Sequence, residues 1–144
     1  MNESKAKQWN ILFMAWLLAF TSVLGSLFFS EILKYPPCVL CWYQRICLFP
    51  LVPILLMGLF PYDRSVVKFA LPLTLTGWLI AFYHNLLYTG IIPKSLQPCD
   101  QSNSCTEIHL GLFGFVTIPL LSLLSFTLLN LLFVLLIKRS KNEK

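Results

Sequence analysis

Long stretches without a charged residue constrain this chain more than any other feature. Ile11–Phe29 and Leu112–Ile137 contain no Asp, Glu, Lys or Arg, and Val67–Tyr88 contains only Lys68, next to its first residue. A helix of about 20 apolar residues crosses the roughly 30 Å hydrocarbon core of a bilayer. The sequence therefore predicts helices that span a membrane.

The composition supports this prediction and excludes other classes of protein. Of the 144 residues, 57% are hydrophobic and 12% are charged, whereas a soluble domain averages about 45–50% apolar and about 25% charged residues. These values exclude a soluble globule, a disordered chain, collagen, a coiled coil and a small disulfide-rich scaffold. Because the basic residues lie at the ends of apolar runs, we interpret the net charge of +5 as a topology signal and expect no nucleic-acid partner.

The second predicted span depends on a segment that contains a cysteine. Ile46–Phe60 alone gives about 22 Å of helix, which is too short to cross a bilayer. Extension back to Cys41 gives about 30 Å, so the segment Cys41–Arg45 must form the first turns. We therefore expect an all-α, antiparallel four-helix membrane bundle. Its single domain, 1–144, has spans at about 11–29, 41–60, 67–88 and 112–137 and outer loops at about 30–40 and 89–111.

The distribution of Lys and Arg predicts the orientation of the bundle in the membrane. Of the 11 basic residues, eight fall on one side of the membrane and three, Lys34, Arg45 and Lys94, fall on the other. Cytoplasmic segments carry the excess of Lys and Arg, so we expect both termini and the loop 61–66 in the cytoplasm. The eight residues are Lys5, Lys7, Arg64, Lys68, Lys138, Arg139, Lys141 and Lys144.

The five cysteines form two pairs and one single residue. Cys38 and Cys41 lie at the first outer segment, Cys99 and Cys105 lie in the second, and Cys47 lies within a span. Both pairs can be oxidised, because disulfides form and persist outside the cytoplasm. We interpret Cys47 as a small hydrophobic residue of the core.

The first pair lies where a thiolate is favoured. Pro36-Pro37 favours a helix that starts just after it, which places Cys38 and Cys41 together on one face of the first turn. The helix N-terminus stabilises a thiolate, which we expect at Cys41 because Arg45 follows one turn later. A charge at that depth in a membrane is usually functional, and a static disulfide would not explain Arg45.

A zinc site is another interpretation of this Cys-x-x-Cys pair. Zinc sites need a second pair or histidines at short spacing, whereas five residues separate Cys99 from Cys105 and His109 is the only nearby imidazole. We therefore expect no metal here.

The short loop closed by the second pair gains little stability from a disulfide, which favours a reactive bond over a structural one.

The third predicted span carries a histidine on its inward face. Gly77, Ala81, His84 and Tyr88 share one side of the helix, and the two small residues allow close packing of a neighbour. His84 and Arg45 each lie about 6 Å inside the outer ends of their spans. A site shared by these two side chains and a simple hydrogen bond from His84 to another helix explain this depth equally well.

These features resemble the DsbB family of membrane disulfide-forming oxidoreductases. Pro37–Arg45 looks like the C-V-L-C-x-x-x-R segment of that family. Four spans, two outer cysteine pairs, Tyr83-His84 and Gly114–Pro119 extend the resemblance over nearly the whole chain. The chain looks most like the short Bdb-type (BdbC-like) members from Gram-positive bacteria.

The resemblance implies that electrons pass through the two cysteine pairs in turn. As a disulfide, Cys99 and Cys105 would oxidise a secreted or membrane-tethered thioredoxin-like dithiol protein similar to DsbA, with Cys99 forming the mixed disulfide. Cys38 and Cys41 would then take the electrons, and Cys41 would pass them to a membrane quinone, either menaquinone or ubiquinone. The quinone neighbours that the resemblance implies are Arg45 and His84.

The resemblance also implies a place in the bacterial cell membrane, in contact with lipid and with the active cysteines on the extracytoplasmic side. Gram-negative members usually carry a longer insertion between Cys99 and Cys105, a difference that bears on the timing of exchange between the pairs.

Two alternative functions stay open. One is a quinone or epoxide reductase that runs the same relay in reverse, and the other is a non-catalytic scaffold with two structural disulfides.

Overall fold

A computed structural model describes residues 2–34, 36–96 and 117–142. Within these segments the chain forms helices and no strand, and four helical stretches are long and apolar enough to cross a membrane. The stretches are Glu3–Ile32, Val39–Leu59, Arg64–Tyr88 and Ile118–Asn142. The predicted all-α architecture with four membrane-spanning helices is confirmed.

Five α-helices build the four spans. They are α1 (Glu3–Leu27), α2 (Val39–Leu48), α3 (Leu51–Leu59), α4 (Val67–Tyr88) and α5 (Ile118–Asn142). A π-helix, Phe28–Ile32, continues α1, and short 3₁₀ turns lie at Arg64–Val66 and Lys94–Leu96. The segment 112–116 of the last expected span lies outside the described residues.

The second span is interrupted between α2 and α3. Pro50 has no backbone N–H to continue the ladder of hydrogen bonds, and the N–H of Val52 contacts the carbonyl of Phe49 at 3.4 Å. The helix then resumes, since the N–H of Ile54 donates to the carbonyl of Pro50 at 3.1 Å. Together α2 and α3 extend from just after Cys38 to Leu59, the length that a crossing requires.

Two of the helices extend beyond the apolar runs. α1 begins at Glu3, where Lys7 forms an ion pair of 2.6 Å with Glu3, one turn apart. α5 continues to Asn142 and carries Arg139 and Lys141 in its last turn, where positive charge is favourable to the helix dipole. The expected spans, about 11–29 and 112–137, counted apolar residues only, whereas a helical backbone also continues through charged residues in water.

The core lies where α4 packs against α5 and α2, and α1 packs against α5 and α3. Leu12, Leu55 and Phe133 are fully buried there. A polar contact joins α4 to α5: Thr74 Oγ1 donates to Asn130 Oδ1 at 2.8 Å, and Asn130 Nδ2 lies 3.4 Å from the carbonyl of Thr74. Such bonds between helices satisfy polar groups that have no water in the bilayer.

The two ends of the bundle differ in chemistry. At one end, Tyr62 Oη donates to Gln8 Oε1 at 2.9 Å, and the Arg64 guanidinium donates to Ser140 Oγ. The beginnings of α1 and α4 therefore meet the end of α5, and we call this the basic end. Its cations are Lys5, Lys7, Arg64, Lys68, Lys138, Arg139 and Lys141. The beginning of α2 and the end of α4 lie at the opposite, cysteine end.

The inward face predicted for the third span is present in α4. Gly77, Ala81 and His84 are all buried, whereas Tyr88, the last residue of the predicted face, is only half-buried. A Cβ added at Gly77 would overlap Cε1 of Phe126 on α5, so the absence of a side chain is what allows the two helices to approach. The same face then places His84 near the beginning of α2.

We expect Gly77→Ala to destabilise the bundle by about 1–3 kcal/mol, because the added methyl group overpacks the contact with the Phe126 ring. The measurement is the thermal midpoint of the purified protein in one detergent. Gly25→Ala is the matched control, since nothing lies within 4 Å of a Cβ at Gly25 and alanine favours a helix. Equal midpoints for the two variants would contradict the proposed contact.

Candidate redox site

Cys38 and Cys41 lie together at the beginning of α2. Cys38 is the N-cap residue, and the backbone N–H of Cys41 donates to Cys38 Sγ at 3.3 Å. The two Sγ atoms are 2.9 Å apart, and both residues are free thiols in the structure. The helix starts directly after Pro36-Pro37 and its N-cap, as predicted, so the pair meets across the first turn.

His84 approaches this pair from α4. Its Nε2 lies 3.8 Å from Cys38 Sγ, and its Nδ1 lies 3.3 Å from Nε2 of Gln44 on α2. His84 and Gln44 are 2% and 8% exposed, so neither contact competes with much solvent. The sequence-based alternative of a hydrogen bond from His84 to a neighbouring helix agrees with this arrangement, and the partner helix is the one that carries the cysteines.

Gln44 is a site residue that sequence reasoning missed. Its side-chain amide offers a donor and an acceptor, so it pairs with either tautomer of His84. When Gln44 donates to Nδ1, the Nε2 atom carries the proton and faces Cys38 as a donor; when Gln44 accepts from Nδ1–H, the Nε2 atom can accept a proton from the thiol. The signal in the sequence was a polar amide next to Arg45 in the first turns of a membrane span.

The environment of Cys38 favours its thiolate. Cys38 directly precedes the second span, and its pKa is lowered to about 4. The hydrogen bond from the Cys41 thiol is the largest cause, burial opposes it, and the hydrogen bond and charge of His84 lower the pKa further. We expected the thiolate at Cys41, but the donors point at Cys38 because an N-cap side chain accepts from the N–H three residues later.

Arg45 is held by α1. Its Nε donates to Ser26 Oγ at 2.7 Å, its Nη2 donates to the carbonyl of Ser26 at 2.6 Å, and its guanidinium carbon lies 5.6 Å from the centre of the Trp42 ring. Ser26 lies two residues before the π-helix, a feature that is frequent at functional sites. Arg45 lies on α2 itself and is bonded to α1, whereas His84 reaches α2 from α4, so a site shared by Arg45 and His84 stays a prediction.

Of the three remaining cysteines, the structure describes only Cys47. Cys47 is 6% exposed and packs in the hydrophobic core, which agrees with its interpretation as a core residue. Cys99 and Cys105, predicted as the second redox pair, lie outside the described residues. The described site therefore consists of one dithiol, an imidazole with an amide partner, and a guanidinium oriented by Ser26.

Comparison with known proteins identifies the family. The family model for the disulfide bond formation protein DsbB matches residues 7–136. The chain belongs to the DsbB family. The matched range contains both cysteine pairs, Arg45 and His84, so the site described above lies within the part of the chain that defines this family.

Individual relatives agree with this assignment. A probable disulfide formation protein of Metapseudomonas resinovorans is 42% identical over 133 residues, which cover 92% of each chain. Disulfide bond formation protein C of Bacillus subtilis (strain 168) is 41% identical over 132 residues, covering 92% of this chain and 95% of the relative. A probable disulfide formation protein of Coxiella burnetii (strain RSA 493 / Nine Mile phase I) is 39% identical over 127 residues. No solved structure matches the chain significantly.

Family membership gives this DsbB-family protein its general class. It is a multi-pass membrane protein of disulfide bond formation, and therefore an oxidoreductase. The resemblance inferred from the segment Pro37–Arg45 is confirmed. The non-catalytic scaffold is disfavoured, because the family is defined by disulfide formation and the pair lies beside His84.

We expect the reduced protein to retain one thiolate from neutral pH down to about pH 4, where Cys38 takes up a proton. Because His84 lowers this pKa, His84→Ala should move the midpoint to higher pH. The measurement is the ultraviolet absorbance of the thiolate during a pH titration of Cys99→Ser/Cys105→Ser protein, with Cys47→Ser added as the control that leaves the midpoint unchanged. A midpoint near the ordinary thiol value of about 8.5 would contradict the described contacts.

Proposed function

We propose that this protein takes electrons from an extracytoplasmic thioredoxin-like dithiol protein and passes them to a membrane quinone, menaquinone or ubiquinone, in the bacterial cell membrane. This transfer sustains disulfide formation in exported proteins. The observation that carries the proposal is the Cys38–Cys41 dithiol, capped onto the N-terminus of α2 and in contact with His84. Membership of the DsbB family supports the reaction class.

The orientation that we propose follows from the two ends of the bundle. The basic end gathers Lys and Arg from the beginnings of α1 and α4 and from the end of α5, and such concentrations face the cytoplasm. The cysteine end then faces outwards, where disulfides persist. An exported dithiol partner would reach this end without crossing the membrane.

The second cysteine pair would accept electrons from the partner. A thiolate of the partner attacks Cys99 of the Cys99–Cys105 disulfide, and the mixed disulfide resolves when the second partner thiolate displaces Cys99. The partner leaves as a disulfide, and the loop pair is reduced to two thiols. Exchange with the Cys38–Cys41 disulfide re-oxidises the loop pair and moves both electrons to the beginning of α2.

The residues at the cysteine end fit a quinone. When bound, a quinone accepts two electrons and two protons. Arg45 is half-buried, and among the described residues its Nη1 has no protein hydrogen bond, whereas Ser26 holds its other nitrogens. Trp42 and Ile46 on the same helix are 53% and 61% exposed, so an apolar surface open to lipid leads towards the guanidinium.

Within the reduced pair, the two cysteines have different roles. Cys38 is 8% exposed and holds the negative charge, whereas Cys41 is the more accessible of the two. An acceptor that arrives from the lipid therefore reaches Cys41 first, and Cys38 closes the disulfide. His84 Nε2, 3.8 Å from Cys38 Sγ, is placed to exchange a proton with that sulfur as the pair changes between dithiol and disulfide, while Gln44 stabilises either tautomer.

We expect the purified protein to consume one short-chain quinone for each thioredoxin-like dithiol that it oxidises. Cys41→Ser should abolish this turnover, since the Cys38–Cys41 disulfide that re-oxidises the loop pair can then no longer form. The measurement combines quinone absorbance with titration of the partner's thiols. Cys47→Ser is the matched control and should retain turnover, and consumption of quinone by the Cys41→Ser protein would contradict the proposal.

We expect Arg45→Gln to lower kcat/KM for quinone by roughly 10- to 100-fold. A hydrogen bond to a charged group contributes about 1.5–3 kcal/mol, and each 1.4 kcal/mol corresponds to about tenfold. Steady-state kinetics at saturating dithiol partner measure this change. Arg64→Gln, at the basic end, removes the same charge far from the cysteines and should leave kcat/KM unchanged, so equal effects of the two substitutions would count against a role for Arg45.

A further inference from the structure

Cys38, Cys41 and His84 bring three metal-ligating atoms together. The two sulfurs and an imidazole nitrogen all lie within 4.8 Å of one another. The sequence argued against zinc because no second pair or histidine follows at short spacing. The third ligand instead comes from α4, 43 residues after Cys41 along the chain, so that spacing could not reveal it.

The positions of these atoms are close to those of a zinc site. Bonds of about 2.3 Å to sulfur and about 2.0–2.1 Å to nitrogen in a tetrahedron place the ligand atoms roughly 3.5–3.8 Å apart. Cys38 Sγ and His84 Nε2 already lie 3.8 Å apart. The two sulfurs, at 2.9 Å, need to separate by less than about 1 Å, which a side-chain rotation of Cys41 at the start of α2 can supply.

The surroundings of His84 also suit a ligand. A metal-bound histidine usually has its other ring nitrogen fixed by a hydrogen bond, which sets the tautomer and the orientation of the ring. The Gln44 amide nitrogen lies 3.3 Å from Nδ1. A half-turn of the amide about its last side-chain bond brings its oxygen to that place, where it accepts from Nδ1–H and leaves the Nε2 lone pair directed at the cysteines. Three protein ligands leave one tetrahedral position for water.

We propose that the reduced Cys38–Cys41 pair binds Zn²⁺ together with His84, and that the bound ion stops electron transfer from this pair. Two S–Zn bonds form as the thiols release their protons, and no electron moves, because Zn²⁺ has no redox chemistry in proteins. The disulfide has no thiolate to offer, so only the reduced form binds the ion. The inhibitory half of this proposal rests on the proposed function, whereas zinc binding does not.

Zinc binding is tested on the full chain carrying Cys99→Ser/Cys105→Ser, so that only the α2 pair and Cys47 remain. The reduced protein is titrated anaerobically with ZnCl₂ against a chromogenic chelator. We expect one Zn²⁺ per chain, and loss of binding once the pair is oxidised. His84→Ala should weaken binding by more than about tenfold, since even residues that only orient a ligand contribute 10- to 100-fold.

Cys47→Ser is the matched control and should bind zinc as tightly as its parent. Equal affinity of the His84→Ala protein would overturn the three-ligand site and leave only a simple dithiol chelate. Binding that persists in the oxidised protein, or the absence of binding to the reduced protein, would overturn the site altogether.

Inhibition is tested in a single turnover of the same reduced protein with a short-chain quinone, with and without saturating Zn²⁺. We expect the ion to abolish quinone consumption and a chelator to restore it. Unchanged consumption in the presence of bound zinc would overturn the inhibition alone. A protein that binds zinc but never consumes quinone, even without the ion, would overturn the proposed function and leave the metal site standing.

Discussion

The contact between the start of α2 and the sulfur of Cys38 is the interaction on which the rest of the site depends. Backbone N–H groups at a helix N-terminus have no partner within the helix, and the bilayer offers no water to replace one. The sulfur of the N-cap residue takes this role for the N–H of Cys41. As a result the two cysteines lie across one turn, and the negative charge is favoured at the buried member of the pair.

The other helices act on this pair through close packing. Gly77 lets α4 approach α5 at the ring of Phe126, and the buried face on which it lies also carries His84, at the cysteine end. α1 contributes Ser26, which accepts hydrogen bonds from two of the three guanidinium nitrogens of Arg45. A buried imidazole from α4 therefore contacts the dithiol, and a cation on the same helix as the dithiol is held in place by α1.

The fold could be predicted from the sequence because it depends on local quantities. Runs such as Leu112–Ile137 exclude charge for a length that matches the bilayer, and Pro36-Pro37 marks where α2 can begin. The resemblance to the DsbB family likewise depended on a local feature, the segment from Pro37 to Arg45. These signals need no knowledge of which helices touch, so they gave the four spans and the position of the first cysteine pair.

The details of the site depend on contacts between helices, which no local pattern encodes. Ser26 is an ordinary serine near the end of an apolar run until α1 packs beside α2, and Gln44 gains its role only when α4 places His84 against it. The expected thiolate at Cys41 rested on the nearby Arg45, whereas the N-cap geometry favours Cys38. For the same reason, spacing along the chain could not show that Cys38, Cys41 and His84 meet in three dimensions.

The most direct measurement mixes reduced Cys99→Ser/Cys105→Ser protein anaerobically with one equivalent of a short-chain quinone, followed by thiol labelling and peptide mapping. If Cys38 and Cys41 form the site that delivers electrons, one quinone disappears per chain, a Cys38–Cys41 disulfide forms, and Cys47 is still labelled. If the quinone is unchanged and both thiols at the start of α2 are still labelled, the pair does not deliver electrons to a quinone.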